Sequence, residues 1–403
     1  MPDISTINGV AEDNIASWNG TTASEITSVN ANTWVHTIVY DLFAWGDGVT
    51  GQLGIGNTTD RSSPTALGAG TEWLGEHSGT IDHSIAIKSN GTLWGWGVNS
   101  YAKLGDGTTT TRSSPVQLGS ATNWVVCASS SYSGHAINSD GELWGWGFQG
   151  AARLGNGETG HSNITAPVQI GSGSSWYHVS ISNAGGSATT TDNKLYTWGD
   201  AVDGRRGDGN STSGNYVSVP TQIGSLTNWL RCNTGEQGAS LAIKTDSTLW
   251  AWGVNSEGML GTNVDGNTSS PVQVGSLTNW VHARCGIGHS LGVTADGKLW
   301  SWGSNGNGCS GRGNPASVYA TSVPTQVGSL TTWYNVIAGD RTSFATKTDG
   351  TLWAWGFNNV GQLGDGSTTD RHSPVQIGSA TDWHLSELST GTMDETSHAF
   401  RSA

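Results

Sequence analysis

GTLWGWGVNSYAKLGDGTTTTRSSPVQLGSATNW, residues 91–124, holds two tryptophans two positions apart, a glycine-rich stretch, a Ser-Pro pair and a closing tryptophan. The same order of landmarks returns along the chain. Leu-aromatic-small-Trp-Gly occurs seven times: LFAWG (42–46), LWGWG (93–97), LWGWG (143–147), LYTWG (195–199), LWAWG (249–253), LWSWG (299–303) and LWAWG (352–356). A proline opens each PVQLG-like segment at Pro64, Pro115, Pro167, Pro220, Pro271, Pro324 and Pro374. Nine residues after each comes another tryptophan: Trp73, Trp124, Trp176, Trp229, Trp280, Trp333 and Trp383. A spacing that never varies over seven copies marks a built unit of about fifty residues, which cannot bury both its faces alone and must stack on its neighbours.

LWGWG reads as a strand: Trp94 and Trp96 point to one side and Leu93 to the other, so the sheet is packed on both faces. HSIAIKSNGT (83–92) reads as the strand before it, with SNG, SDG, ADG and TDG as hairpin turns that need positive φ. PVQLG and the NWVVC-like stretch supply two more. Four strands in each of seven units predict an all-β, seven-bladed β-propeller, with the paired tryptophans packed between blades. Closure is legible as well. SHAFRS (397–402) resembles the second strands elsewhere, and only 11 residues separate Trp34 from Trp45 where complete units have 22 or 23. The C-terminal segment is therefore expected to pair beside LFAWG in a split blade. HTIVYD (36–41) then belongs to one long strand over 35–45, and 34–403 form the propeller domain.

GQLGIGN (51–57), AKLGDGT (102–108), GQLGDGS (361–367) and CGIGHSLGVTADGKLWSWG (285–303) resemble the regulator of chromosome condensation repeat, over roughly residues 35–403. The resemblance implies the same seven-bladed, split-blade ring. RRGDGNS (205–211) and GCSGRGN (308–314) depart from it by lacking the leucine. The best-known members of that family are guanine-nucleotide exchange factors that sit on chromatin. No residue here is matched to that activity, so the fold alone is carried over.

Composition narrows the function. With 17 Lys+Arg against 31 Asp+Glu the net charge is −14, which repels phosphate backbones and argues against nucleic-acid binding. No signal peptide and no membrane span is read. Cys127, Cys232 and Cys285 follow repeat tryptophans in different blades, too far apart to bridge, and are expected as buried free thiols. Neither HExxH nor a CxxC pair occurs, so no cofactor, metal or catalytic residue is assigned and the chain is read as a non-enzyme. His83, His135 and His289 are read as structural residues at one repeat position. Asp106, Asp208 and Asp365, in GDG segments, are read as turn residues.

Residues 1–33 follow another rule. ISTING, IASWNG and ITSVNA begin at Ile4, Ile15 and Ile26, an 11-residue period. Asn-Gly, Thr and Ser favour strands and turns there over a helical supercoil. The segment resembles short repeats at the starts of tailed-phage structural proteins. Ile4, Ile7, Ile15, Trp18, Ile26 and Val29 are expected to form an apolar stripe for self-association or docking, which implies a virion or particle surface.

Insertions mark the candidate binding face. The step from motif Trp to Pro is 19 residues in four units but 21, 22 and 22 in those of Trp146, Trp198 and Trp302. The extra residues carry His161, Arg205, Arg206, Tyr216, Arg312 and Tyr319, contact residues in a Lys/Arg-poor chain. The expectation is a binding or structural protein, virion- or fibre-associated, that takes a protein or glycan through one propeller face. The alternative is a cytoplasmic regulator or scaffold of the exchange-factor kind. Harmless variation of loop length remains open beside both.

Overall fold

Each repeat becomes one antiparallel sheet of four strands paired in chain order. Blade 3 shows the plan: Trp124–Ser130, Ser133–Asn138, Leu143–Phe148 and Asn163–Gln169. The structure, a computed structural model, describes residues 6–7, 10–11, 17–18, 21–22, 39–68, 72–79, 82–173, 175–313, 320–385 and 396–402. Blade 2 runs from Trp73–Gly79 to Arg112–Gln117, blade 4 from Trp176–Ser182 to Tyr216–Gln222 and blade 5 from Trp229–Thr234 to Thr268–Gln273. Blade 6 runs from Trp280–Cys285 to Ala320–Gln326 and blade 7 from Trp333–Ala338 to Arg371–Gln376. Each repeat tryptophan thus opens a first strand, and these strands lie against one another round the axis. The fourth strands form the half-exposed rim. A proline cannot donate to a ladder, and each fourth-strand proline sits on this edge where the register slips, as between Arg112 and Val116.

The ring closes as the repeat count requires. Thr396–Ser402 pairs with Tyr40–Gly46 along its whole length, His398 opposite Ala44, and Trp383–His384 pairs on its other side. With Arg61–Ala66 these make blade 1. Of the segment 35–45 expected as one long strand, Tyr40–Gly46 is a strand and residues 35–38 lie outside the described residues. The second-to-third-strand turns use positive φ, at Gly91 (φ 73) and also at Asn193 and Ser247 (both φ 59). At Gly91 a Cβ would stand 2.1 Å from the Thr122 carbonyl oxygen.

Seven apolar clusters fill the seven seams between blades. In each seam the second motif tryptophan is fully buried, and its indole N–H crosses to the loop between the third and fourth strands of the preceding blade. Trp96 donates to Gln52 O at 2.9 Å, Trp146 to Lys103 O at 2.9 Å and Trp198 to Arg153 O at 2.9 Å. Trp252 donates to Arg205 O at 3.1 Å, Trp302 to Met259 O at 2.9 Å, Trp355 to Cys309 O at 2.8 Å and Trp45 to Gln362 O at 2.9 Å. The glycine two residues on lies flat on the same indole. At Gly105, φ 77, a Cβ would be 2.6 Å from the Trp146 ring. This contact latches blade to blade, and it explains why the GQLG-type glycines recur.

Both tryptophans of a pair pack at the seams, as expected, but they divide their work: Trp94, Trp144, Trp250, Trp300 and Trp353 lie at the edge of the clusters. The first remains partly exposed on its own blade. Trp94, Trp250 and Trp353 donate to Thr92, Thr248 and Thr351, and lysines lie over them: Lys88 4.1 Å above Trp94, Lys244 3.6 Å above Trp250 and Lys347 3.6 Å above Trp353. Such cation–π contacts contribute about 0.5–1 kcal/mol at exposed sites. The histidines also divide. His83 and His289 stand opposite Gly97 and Gly303, whereas His135 stands opposite Gly145, two residues further along its strand. All three are buried.

At the N-terminus, Thr6–Ile7 pairs with Val10–Ala11 and Ser17–Trp18 with Thr21–Thr22, so the 11-residue period recurs as two like hairpins. Among the described residues no helix is long and apolar enough to cross a membrane.

Candidate binding face

Antiparallel order puts the first-to-second-strand turns and the latch loops at one end of every blade. The latch loops of blades 2 to 6 share a backbone. Their central turn forces positive φ on Tyr101 (66°), Ala151 (60°), Asp203 (59°), Glu257 (58°) and Asn307 (55°). Left-handed backbone costs an L-residue about 1–2 kcal/mol, so the aromatic in this series stands out. Tyr101 is 44% exposed.

Around Tyr101 two blades build an aromatic cluster. Its ring lies 5.3 Å from Tyr132, in the first turn of blade 3, and 5.4 Å from Phe148, at the end of that blade's third strand. The Arg153 guanidinium stacks beneath, 4.7 Å from the Tyr132 ring and 4.9 Å from that of Phe148. Nε and Nη1 of Arg153 are buried and have no hydrogen-bond partner. Burial pushes this guanidinium's pKa down, against the pull of Tyr132 and Glu236. His161, exposed in the insertion of the blade 3 loop, meets Phe148 edge-on at 5.9 Å. Tyr216 opens the outer strand of blade 4 and is 46% exposed.

A polar chain ties the neighbouring turns. Lys103 reaches both carboxylate oxygens of Asp82 at 2.7 Å and the Ser131 carbonyl at 3.3 Å. Burial alone would raise Asp82, but the His83 hydrogen bond and the Lys103 charge outweigh it and hold the carboxyl at about 2. Burial pushes His83 itself down, against the pull of its hydrogen bond to Asp82. Glu236, in the first turn of blade 5, reaches past blade 4. It accepts from Ser131 N at 2.7 Å and from the Ser131 hydroxyl, and burial raises its pKa.

The sequence-derived residues fall into three groups. His161 and Tyr216 lie in the sector of the aromatic cluster. Arg205 lies over Gly238 of the next blade and pairs loosely with Asp203 at 3.4 Å. Arg206, 4% exposed, is tied within its own loop to Asp208 at 2.7 Å and to Asn215 at 2.9 Å, filling the place of the missing leucine. Arg312 stands apart in blade 6, donating to Ser310 Oγ at 3.0 Å, and Tyr319 lies outside the described residues.

The turn aspartates act locally: Asp106 holds Arg112 at 2.7 Å and Asp365 holds Arg371 at 2.7 Å. The four cysteines are free and buried, and burial pushes the thiols of Cys232, Cys285 and Cys309 up to about 12. Tyr101, Tyr132, Phe148, Arg153 and Glu236 escaped the sequence reading. One signal was present: the residue whose carbonyl takes the indole is basic in three consecutive units, at Lys103, Arg153 and Arg205.

The regulator of chromosome condensation (RCC1) repeat model matches residues 41–75, 90–136, 246–293, 296–346 and 349–392. The ultraviolet-B receptor UVR8 of Arabidopsis thaliana is 28% identical over 86% of this chain and 68% of its own length. The E3 ubiquitin-protein ligase HERC2 of Homo sapiens is 26% identical over 87% of this chain, which spans only 6% of that protein. The crystal structure of Prp20p from Saccharomyces cerevisiae, described with its binding to Gsp1p and histones, superposes with a TM-score of 0.78 at 19% identity, covering 92% of this chain and 93% of that one. Human WBSCR16 superposes at 0.76 with 18% identity, over 90% and 99% of the two chains. Seven blades, the latch glycines and the family match agree: the chain belongs to the regulator of chromosome condensation (RCC1) repeat family.

Proposed function

We propose that this protein is a non-enzymatic binding module of the regulator or scaffold kind, which takes a protein partner on its latch-loop face. The observation that carries the reading is the cluster of Tyr101, Tyr132 and Phe148 over Arg153, partly exposed and held on a strained turn. Aromatic and arginine anchors of this kind dominate protein interfaces, and strain persists where function retains it. Relatives support a protein partner: Prp20p has been crystallised with Kap60, and its structure is described with Gsp1p and histone binding. The test is affinity capture from the organism's own extract, comparing the wild type with Tyr132→Ser and with Lys298→Ala on the opposite end. A protein retained by the wild type and Lys298→Ala but lost from Tyr132→Ser supports the reading. Equal capture by all three contradicts it, and loss of a glycan in place of a protein changes the partner class.

A second reading concerns residues 1–33. We propose that they fasten the ring to a second copy or to a particle such as a virion. The repeated hairpins at Thr6–Ala11 and Ser17–Thr22 favour it, with Ile7 and Trp18 on their strands. Ile4, Ile15, Ile26 and Val29 lie outside the described residues. Removing 1–33 should leave the melting temperature of the ring unchanged and lower the mass in solution. Unfolding of the ring on removal would contradict it.

A further inference from the structure

Tyr132, one of the two rings stacked on Arg153, sits on a turn that its own blade secures only in part. Ser130 pairs with Ser133, so Ser131 and Tyr132 alone make the hairpin. Two-residue hairpins favour turns with positive φ, because the other turn types splay the strands. Neither Ser131 nor Tyr132 has positive φ. Blade 3 itself supplies a bond from Phe148 N to Tyr132 O at 2.9 Å. The rest of the grip comes from other blades. Ser131 gives its N–H, at 2.7 Å, and its hydroxyl to Glu236 Oε1, and its carbonyl accepts from Lys103 at 3.3 Å. Lys103 belongs to blade 2 and Glu236 to blade 5, two blades away.

Glu236 does more than close its own hairpin. It is 4% exposed, and its backbone carbonyl accepts from Asn183 N, in the first turn of blade 4, at 3.3 Å. One residue thereby joins the first turns of blades 3, 4 and 5. Its carboxylate faces Lys103 and the His83-bonded Asp82, and it acts on Arg153. On its own turn, Arg205 lies over Gly238 and the buried Cys285 thiol lies against Gly235. Burial, the largest influence, raises the pKa of Glu236 against the Ser131 hydrogen bonds and the Lys103 charge. Hydrogen bonds to an ionised acceptor are roughly twice as strong as neutral ones, so a proton taken up here weakens the hold on Ser131. We propose that Glu236 is a positioning residue for the recognition face: its carboxylate fixes the Ser131–Tyr132 turn, and protonation releases it. That this sets how firmly a partner is held rests on the reading of the latch-loop face given above.

The test follows the Tyr132 ring and the Ser131 amide by nuclear magnetic resonance in the full chain without a partner, from pH 8 to pH 5. In the wild type both should shift together, with one midpoint above the ordinary glutamate value that matches the Glu236 carboxyl carbon. Glu236→Gln keeps an oxygen for Ser131 but carries no charge, so both resonances should stay near their low-pH positions throughout. A Tyr132 ring that stays still while Glu236 titrates, or that titrates unchanged in Glu236→Gln, overturns the proposal. Should Glu236→Gln fail to fold, the wild-type midpoints decide, and different midpoints for Tyr132 and Glu236 overturn it. Towards the protein captured by the wild type, Glu236→Gln should bind at least threefold more weakly at pH 7.5 and equally at pH 5. Unaltered affinity beside a displaced Tyr132 ring would refute the reading of the face and leave the positioning role standing.

Discussion

The latch loops of blades 1 and 7 and those of blades 2 to 4 make the same indole contact with different side chains and a different central turn, since Tyr101, Ala151 and Asp203 have positive φ and Thr50 and Val360 at the same place do not. In blades 1 and 7 the residue that accepts the indole is Gln52 or Gln362, and its amide turns back on its own loop, accepting from Thr50 N at 2.8 Å and Val360 N at 3.0 Å. In blades 2 to 4 the same position holds Lys103, Arg153 and Arg205, whose side chains reach Asp82, the Tyr132–Phe148 pair and Gly238. The carbonyl-to-indole bond is unchanged throughout. Architecture therefore resides in the backbone and the glycine, and the side chains round them are free to take on recognition.

The largest test removes the closing strand. Deleting 397–403 strips the pairing partner from Tyr40–Gly46 and exposes the seam of Trp45, Phe344 and Trp383. The loss should approach roughly the whole 5–15 kcal/mol stability typical of a domain, so the variant should not melt cooperatively. A cooperative transition near the wild-type temperature would contradict split-blade closure.

Two glycines separate latch from turn. Gly105→Ala sets a Cβ against Trp146, whereas Gly107, with nearly the same φ of 82, has nothing within 4 Å of its Cβ position. Gly105→Ala should cost about 3 kcal/mol or more and Gly107→Ala about 1 kcal/mol, the backbone term alone. Equal costs in chemical denaturation would mean that the indole contact contributes nothing.

Acid should loosen every seam that buries a histidine. Burial lowers His135 and His289 to about 4 and His398 to about 3. These groups fold neutral, so their contribution is complete above the ordinary value near 6.5 and is lost as pH falls towards the folded values. Each removes about 1.4 kcal/mol per pH unit within that window. Asp82, held at about 2, adds the same sign of effect from about pH 4 downwards. Midpoints of unfolding at pH 7, 5.5 and 4.5 check this, and a flat profile would contradict neutral burial.

Blade number, the closing segment and the turn glycines were legible because each recurs at fixed spacing, and a repeat tests itself seven times. The aromatic cluster was not, because Tyr101 belongs to blade 2 while Tyr132, Phe148 and Arg153 belong to blade 3. Only the ring brings them within 6 Å of one another's neighbours, as at Tyr101–Tyr132, 5.3 Å. Glu236 and Ser131 are 105 residues apart and share no motif. Loop length pointed, at His161 and Tyr216, to the end of the blades that carries the aromatic cluster. It misjudged Arg206, whose charge is engaged inside its own loop.

The smallest expected stability change belongs to Tyr101, the residue at the centre of the proposed interface. Tyr101→Gly relieves the positive φ and should leave the protein unchanged or stabilise it by about 0.5–1 kcal/mol. A loss above that range in thermal denaturation would make Tyr101 a structural residue.

The most direct measurement gives the blade 2 and 3 loops residues that other blades carry at the same places. Tyr101→Asn with Arg153→Gln copies Asn307, which also has positive φ, and Gln52, while keeping every carbonyl-to-indole latch. Affinity for the partner captured by the wild type should fall at least tenfold while the melting temperature holds. Undiminished affinity in a folded double variant would contradict the assignment of this face.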